Sequence, residues 1–192
     1  KEPEKQGEES PIRSWLDEFL QGAESMIWIE NAYITLPSEL RTRLKNRLED
    51  GGLNIKICTN SLSTLDTVRL AAGWAGEREK LYSFGIPIFE RTHPGLMHCK
   101  TFLSDKQVAV GSANMNHRSV LGINHDVLLV SEDQRVIQAI KQDMSKDFST
   151  HYKQVDNLKE GVDELEPTRR NEIMRAKGVR RVFSFAHKYL TY

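Results

Sequence analysis

The feature that most restricts the fold is an early alternation of strand, helix and strand. Met26 to Tyr33 is an apolar run broken at Glu30 and Asn31, and it reads as a buried strand. From about Ser38 to Asp50, Leu40, Leu44 and Leu48 recur at helical spacing with Arg41, Arg43, Lys45 and Arg47 around the rest. That is an amphipathic helix, and Gly51-Gly52 stops it. Asn54 to Thr59 is the next strand. Strand, helix and strand in this order predict a parallel pair with a right-handed crossover. In such sheets ligands collect beyond the carboxyl ends of the strands, where Asn60, Ser61 and Ser63 fall.

The remaining elements extend this unit. Residues 1–10 are charged and polar without apolar periodicity, a lead-in or linker. Ser10-Pro11 is a helix start, and Trp15, Phe19 and Leu20 give that helix an apolar face. A third helix is expected over about Ser63 to Phe84, closed by Gly85, then a strand from Ile86 to Glu90 and a loop through Pro94-Gly95. Further strands are expected to begin at His98, to end at Gly111 and to span Val127 to Val130, with a short connection over Met115 to Gly122. Val136, Ile140, Met144 and Phe148 mark a last core helix. The expected fold is α/β, with a mixed, largely parallel β-sheet flanked by helices on both faces and one domain over 11–155.

Residues 156–192 divide into an acidic connection and a basic amphipathic tail. From Thr168 the tail carries Arg169, Arg170, Arg175, Lys177, Arg180, Arg181 and Lys188, interleaved with Val179, Val182, Phe183, Ala186, Tyr189 and Leu190. Such a helix suits an anionic membrane surface, a peripheral contact through 168–192. A terminal helix docked on its own domain or on a partner has the same pattern, and is the commoner case.

Composition narrows the function classes. The formal net charge of +0 gives no global basic field, which disfavours a nuclease, although a local groove can be basic. Two cysteines make no disulfide framework, and Cys58 and Cys99 read as free thiols. A zinc set of Cys58, His93, His98 and Cys99 lacks any recognised ligand spacing. No apolar run approaches the roughly 20 residues needed to span a bilayer. The chain starts at Lys1 with neither an initiator methionine nor a signal peptide, which leads us to expect a piece of a longer polypeptide.

The chemistry concentrates at His98-Cys99-Lys100-Thr101-Phe102-Leu103-Ser104-Asp105 and, after a turn, Gly111-Ser112-Ala113-Asn114. In an extended strand His98 and Lys100 share a face and Cys99 takes the other, so an imidazole stands beside an ammonium. A hairpin would return Ser112 and Asn114 to the same neighbourhood.

His98, Lys100 and Asp105, the Gly111-Ser112-x-Asn114 segment and the acidic Asp126 together resemble the phospholipase D superfamily. The resemblance extends to Ile29-Glu30-Asn31-Ala32-Tyr33 and to Met115-Asn116-His117-Arg118-Ser119, and covers roughly 25–155. Thr59-Asn60-Ser61-Leu62 is similar to the bacterial cardiolipin synthase branch. The resemblance implies His98, Lys100 and Asn114 as catalytic residues. Ser112 would bind phosphate, and Asp126 would orient the far nitrogen of His98. Asp105 and Gly111 would be structural, and Asn31, Tyr33, Asn60 and Ser61 would line the pocket. The family more often has glutamate near the place of Asp126. No metal or cofactor is implied.

A phosphodiester is answered by one imidazole as nucleophile, a second as acid, and cations on the phosphate oxygens. This chain has one such histidine motif, so the second half is expected from another copy or from a missing N-terminal half. On the latter reading His98 is expected to be the general acid/base rather than the nucleophile. The resemblance implies phosphodiester cleavage or transphosphatidylation of a phospholipid, peripheral on a bacterial membrane. The alternatives are a nuclease of the same superfamily and a non-catalytic phosphate- or lipid-binding half.

Overall fold

The computed structural model describes residues 10–159 and 161–190, with side chains through Val179. Residues 1–9 of the expected linker lie outside the described residues.

The first half is strand and helix in alternation: α1 (Pro11–Gly22), β1 (Met26–Asn31), α2 (Ser38–Glu49), β2 (Asn54–Asn60), α3 (Val68–Ser83) and β3 (Ile88–Arg91). The second half runs β4 (Lys100–Ser104), β5 (Val108–Gly111), α4 (His117–Val120), β6 (Leu128–Ser131), α5 (Gln134–His151), β7 (Tyr152–Gln154) and α6 (Pro167–Leu190). The strands form one sheet in the order β6-β5-β4-β1-β2-β3-β7.

The sheet is mixed. β1 pairs in parallel with β2, and β2 with β3, as the early alternation requires. The other four pairings are antiparallel, so the parallel part is a smaller share than expected. The reason is connection length: residues 105–107 join β4 to β5, far too few for a crossover.

Helices cover both faces. Leu16, Phe19, Leu20, Leu40, Leu44 and Ala72 from α1, α2 and α3 pack with Ile29, Ile57 and Phe102 of the sheet. On the other face Ile137 and Met144 of α5 pack on Trp28, Cys58, Leu103 and Val108. The buried stripe of α5 therefore starts at Ile137. Val136, expected in it, is 38% exposed.

Local chemistry sets the element ends. Gly51 and Gly52 both take positive φ, 79° and 78°, where a side chain would be strained, and so end α2. The third helix begins later than expected because Thr67 caps it, its hydroxyl accepting from the Leu70 N–H at 3.2 Å. Before that, the hydroxyls of Ser61, Ser63 and Thr64 bond one another in a turn. Ser10 holds the N-cap position of α1 without a side-chain cap bond.

α6 packs along α3. Ile173 is fully buried in the main core, Lys177 pairs with Glu79, and the Arg169 guanidinium donates to the Leu65 carbonyl. Up to Val179 the tail is thus a helix docked on its own domain. Val182, Phe183, Ala186, Tyr189 and Leu190, on which the membrane reading rests, lie outside the described side chains. Among the described residues no helix is long and apolar enough to cross a membrane.

Candidate active site

β1 and β2 deliver their carboxyl ends to the place where β4 begins, and two buried asparagines hold the loops there. Asn31, at the end of β1, donates its amide to the Ala113 carbonyl at 3.1 Å and accepts from the Met115 N–H at 3.0 Å. Asn60, at the end of β2, donates to the carbonyls of Ala32 and Met97 at 3.0 and 2.9 Å and accepts from the Met97 N–H at 2.9 Å. Both are 0% exposed, so neither lines a pocket as expected. Their amides pair with backbone because the segments they hold are buried and need partners. Asn31 fixes the Gly111–Asn114 segment, and Asn60 fixes the approach to His98.

Asp105 is a third clamp. Burial alone would raise its carboxyl, but N–H donation from Ser25, Met26 and Glu24 outweighs that and holds it below the usual range. It ties the β4–β5 turn to the start of β1. Gly111 is set by a close approach: a Cβ there would stand 1.9 Å from the Val127 carbonyl oxygen.

His98 lies in the extended segment just before β4, not inside it, and its ring is exposed. The imidazole makes no hydrogen bond among the described residues, and its contact is an edge-on one with Tyr33, ring centroids 5.8 Å apart. Lys100, the first residue of β4, is buried at 5% exposure. Its ammonium donates to the His98 carbonyl at 2.8 Å and stands 5.9 Å from the centre of the Tyr33 ring. Burial pushes the Lys100 pKa down, opposed by its charged surroundings, Asp126 among them. One acceptor occupies an ammonium with three protons, which leaves donors for an anion.

Asp126 does not bond His98. Its Oδ1 accepts from the Ser112 hydroxyl at 3.0 Å, and Ser112 Oγ in turn accepts from the Val127 N–H at 3.0 Å. A carboxyl one methylene shorter than glutamate is held back at the loop. The other carboxylate oxygen, Asp126 Oδ2, is buried without a partner, as is Asn114 Oδ1. Such orphaned acceptors are uncommon and mark a place where a donor is missing.

The structure therefore brings His98, Lys100 and Tyr33 together, with Asp126 within electrostatic reach of Lys100. Ser112 is engaged with Asp126. Ser61 sits apart in its hydroxyl turn, beside a different recess lined by Arg78 and Arg91. The zinc set is not assembled: the His93 ring packs against His151 with centroids 4.6 Å apart, and Cys99 bonds Glu30 and Met97. Among the described residues no group of three or more histidines, cysteines or acids is placed to hold a metal.

Two further features shape the surroundings of the site. Glu30, the break in the first strand, is buried on the α5 face, where burial raises its carboxyl to about 7. Tyr33 is also the wall of a cleft of about 540 Å³ that holds Arg69 and Arg118.

A mixed sheet flanked by helices, with an imidazole and a buried ammonium that share Tyr33 as neighbour at the ends of its central strands, defines an α/β domain. The family model described as "Cardiolipin synthase, PLD-like domain" matches residues 16–148, most of the chain. The chain belongs to that family, within the phospholipase D superfamily. A stretch of 112 residues is 31% identical to cardiolipin synthase C of Escherichia coli, over 49% of this chain and 24% of that protein. The chain spans about a quarter of the length of the curated relatives it matches. Among solved structures, Nuc of Salmonella typhimurium, a phospholipase D family member, superposes with a TM-score of 0.61 at 15% identity, over 76% of this chain and 91% of that one. Phosphatidylserine synthase of Haemophilus influenzae superposes at 0.68 and 12% identity, over 90% of this chain and 42% of that one. At these identities the superpositions show the fold.

Proposed function

We propose that this chain supplies half of a metal-independent site that cleaves or transfers a phospholipid head-group phosphodiester. The observation that carries the reading is the buried Lys100 ammonium bonded to the backbone carbonyl of His98, whose ring is exposed and, like that ammonium, lies beside Tyr33. A buried cation with spare donors fits the non-bridging oxygens of a phosphate, and an imidazole with no internal partner is available to the phosphorus or the leaving group. Asp126, one of whose oxygens is orphaned, is within electrostatic reach of Lys100.

The reaction runs in two displacements. One imidazole nitrogen attacks phosphorus, a P–N bond forms, and the P–O bond to the leaving alcohol breaks as a second imidazolium gives that oxygen its proton. Water or an acceptor alcohol then loses its proton to the second ring, attacks phosphorus and breaks the P–N bond. His98 takes one of the two roles, and the other histidine comes from a second half, in another copy or elsewhere in a longer chain. An apolar strip supports the pairing: Val127 and Leu129 are 71% and 74% exposed, with Leu121 and Ile123 exposed nearby in sequence.

The test is the complete protein against His98→Ala, assayed without metal on phospholipid and on DNA side by side. Lipid conversion lost in the variant is the expected result. Full activity in H98A overturns the reading, and conversion of DNA alone moves the substrate to nucleic acid. Phosphate bound by the wild type with no turnover would favour a binding half.

A further inference from the structure

The cleft behind Tyr33 is not used by the scheme above. It lies between α3 and the segment linking β1 to α2, measures about 540 Å³, and shares the Tyr33 wall with the His98–Lys100 site. Its apolar lining includes Ile34, Leu65 and Leu70, while Arg69 and Arg118 line it from the first turns of α3 and α4. Arg69 is exposed and makes no hydrogen bond or ion pair among the described residues. Arg118 is exposed and donates its Nε to the Asn124 side chain at 3.1 Å, an interaction that leaves its terminal nitrogens available. Among the described residues no carboxylate lines the cleft. Asp66 stands outside the lining, close enough to Tyr33 to add to the effect of burial in raising its phenol. His117 also lines it, held below its ordinary pKa first by burial, so the positive charge there is that of the arginines.

The geometry points to a subsite for an anionic amphiphile, with an aliphatic segment on the floor and a second anionic group between Arg69 and Arg118, making these two arginines determinants of substrate choice. This rests on the phospholipid reading above and extends it: the site would take a phosphodiester together with a further negative charge attached to hydrocarbon. A nucleotide base fits less well. Trp74, the one indole of the lining among the described residues, is 3% exposed and its N–H is spent on Glu90 at 2.6 Å, so it offers no open face for stacking. A guanidinium fork holds a phosphate in two-point fashion, which an exposed lysine would not. The anion has two sources, the lipid being cleaved or a second lipid that accepts the transferred group.

The experiment uses the full-length protein with the R69Q/R118Q double variant and, separately, Leu70→Trp, which fills the cleft. Each is assayed on cardiolipin in mixed micelles, a lipid with a second phosphodiester beyond the one cleaved, on the same micelles with phosphatidylglycerol as the lipid alcohol, and on bis(p-nitrophenyl) phosphate, a soluble diester with neither hydrocarbon chain nor second charge. The ratio of micelle to soluble kcat/KM is expected to fall about tenfold in both variants, mainly through KM. A defect in transfer to a lipid alcohol alone assigns the anion to the acceptor, and a defect in hydrolysis as well assigns it to the lipid cleaved. An unchanged ratio in an active protein overturns the inference and leaves the phospholipid reading standing. A wild type that cleaves the soluble diester and not the micelles overturns that reading first.

Discussion

The ammonium of Lys100 donates to the carbonyl oxygen of His98, 2.8 Å away, so the cation is anchored to the backbone of that residue. The two are separated by one residue, and the bond fixes their relative position before any substrate arrives. Lys100→Met in the complete protein should therefore cost roughly a hundred- to a thousand-fold in kcat on phospholipid, the range for losing a donor to developing negative charge. Lys100→Arg should restore little, because a side chain at 5% exposure has no room for a guanidinium. Steady-state kinetics on the two variants checks both.

Gly111→Ala should be destabilising out of proportion to its size. The added methyl meets the Val127 carbonyl oxygen at 1.9 Å, and this contact is backbone, so β6 must move. A cost of about 1–3 kcal/mol is expected, read as a shift in the denaturant midpoint.

Asn31→Ala removes the partner of one buried carbonyl and one buried N–H, at Ala113 and Met115. About 2–4 kcal/mol of stability should go with them. The loop bearing Asn114 loses its clamp in the same stroke, so kcat should fall even in protein that remains folded, while Asn60→Ala should disturb the approach to His98 instead.

Glu30 gives the fold a pH dependence near neutrality. Burial raises its carboxyl from 4.5 to about 7, so the folded chain holds this proton to higher pH than the unfolded chain does. The folded state is therefore undisturbed at low pH and loses stability as the pH rises through that interval, the loss being complete above about 7. Glu30→Gln should be nearly neutral at about pH 4 and should stabilise by on the order of 3 kcal/mol at about pH 8. Denaturant melts of both proteins at the two pH values test this. Asp105 acts in the opposite sense: its carboxyl is held low, so its contribution is present at neutral pH and drains away in acid below about 4.

How much of this was legible in the residues depended on the kind of information each carried. The β1-α2-β2 unit was, because an apolar run, a periodic helix and two glycines admit few alternatives. β7 was not: its three residues carry no period of their own and are a strand only because Arg91 and Phe89 lie opposite. The stripe of α5 was misread at one end, since Val136 and Ile137 are adjacent apolar residues and only the facing sheet selects the second. At the site, the motif spacing singled out His98 and Lys100 as candidates. It could not say that Asn31 and Asn60 serve backbone instead of ligand, because an amide is equally suited to both and the difference is burial. The Asp126–Ser112 bond was equally out of reach, being decided by a loop path that no local pattern encodes.

β6 closes one rim of the sheet, and its outer row of peptide groups faces outward beside Leu129 and Val127. A rim of that kind is adhesive in the ordinary physical sense: it gains by acquiring a further strand or a greasy cover, whatever the source. On the proposed pairing, the behaviour of the isolated polypeptide would depend on protein concentration. Turnover numbers taken at a single dilution would mix the chemistry of the site with the occupancy of that rim.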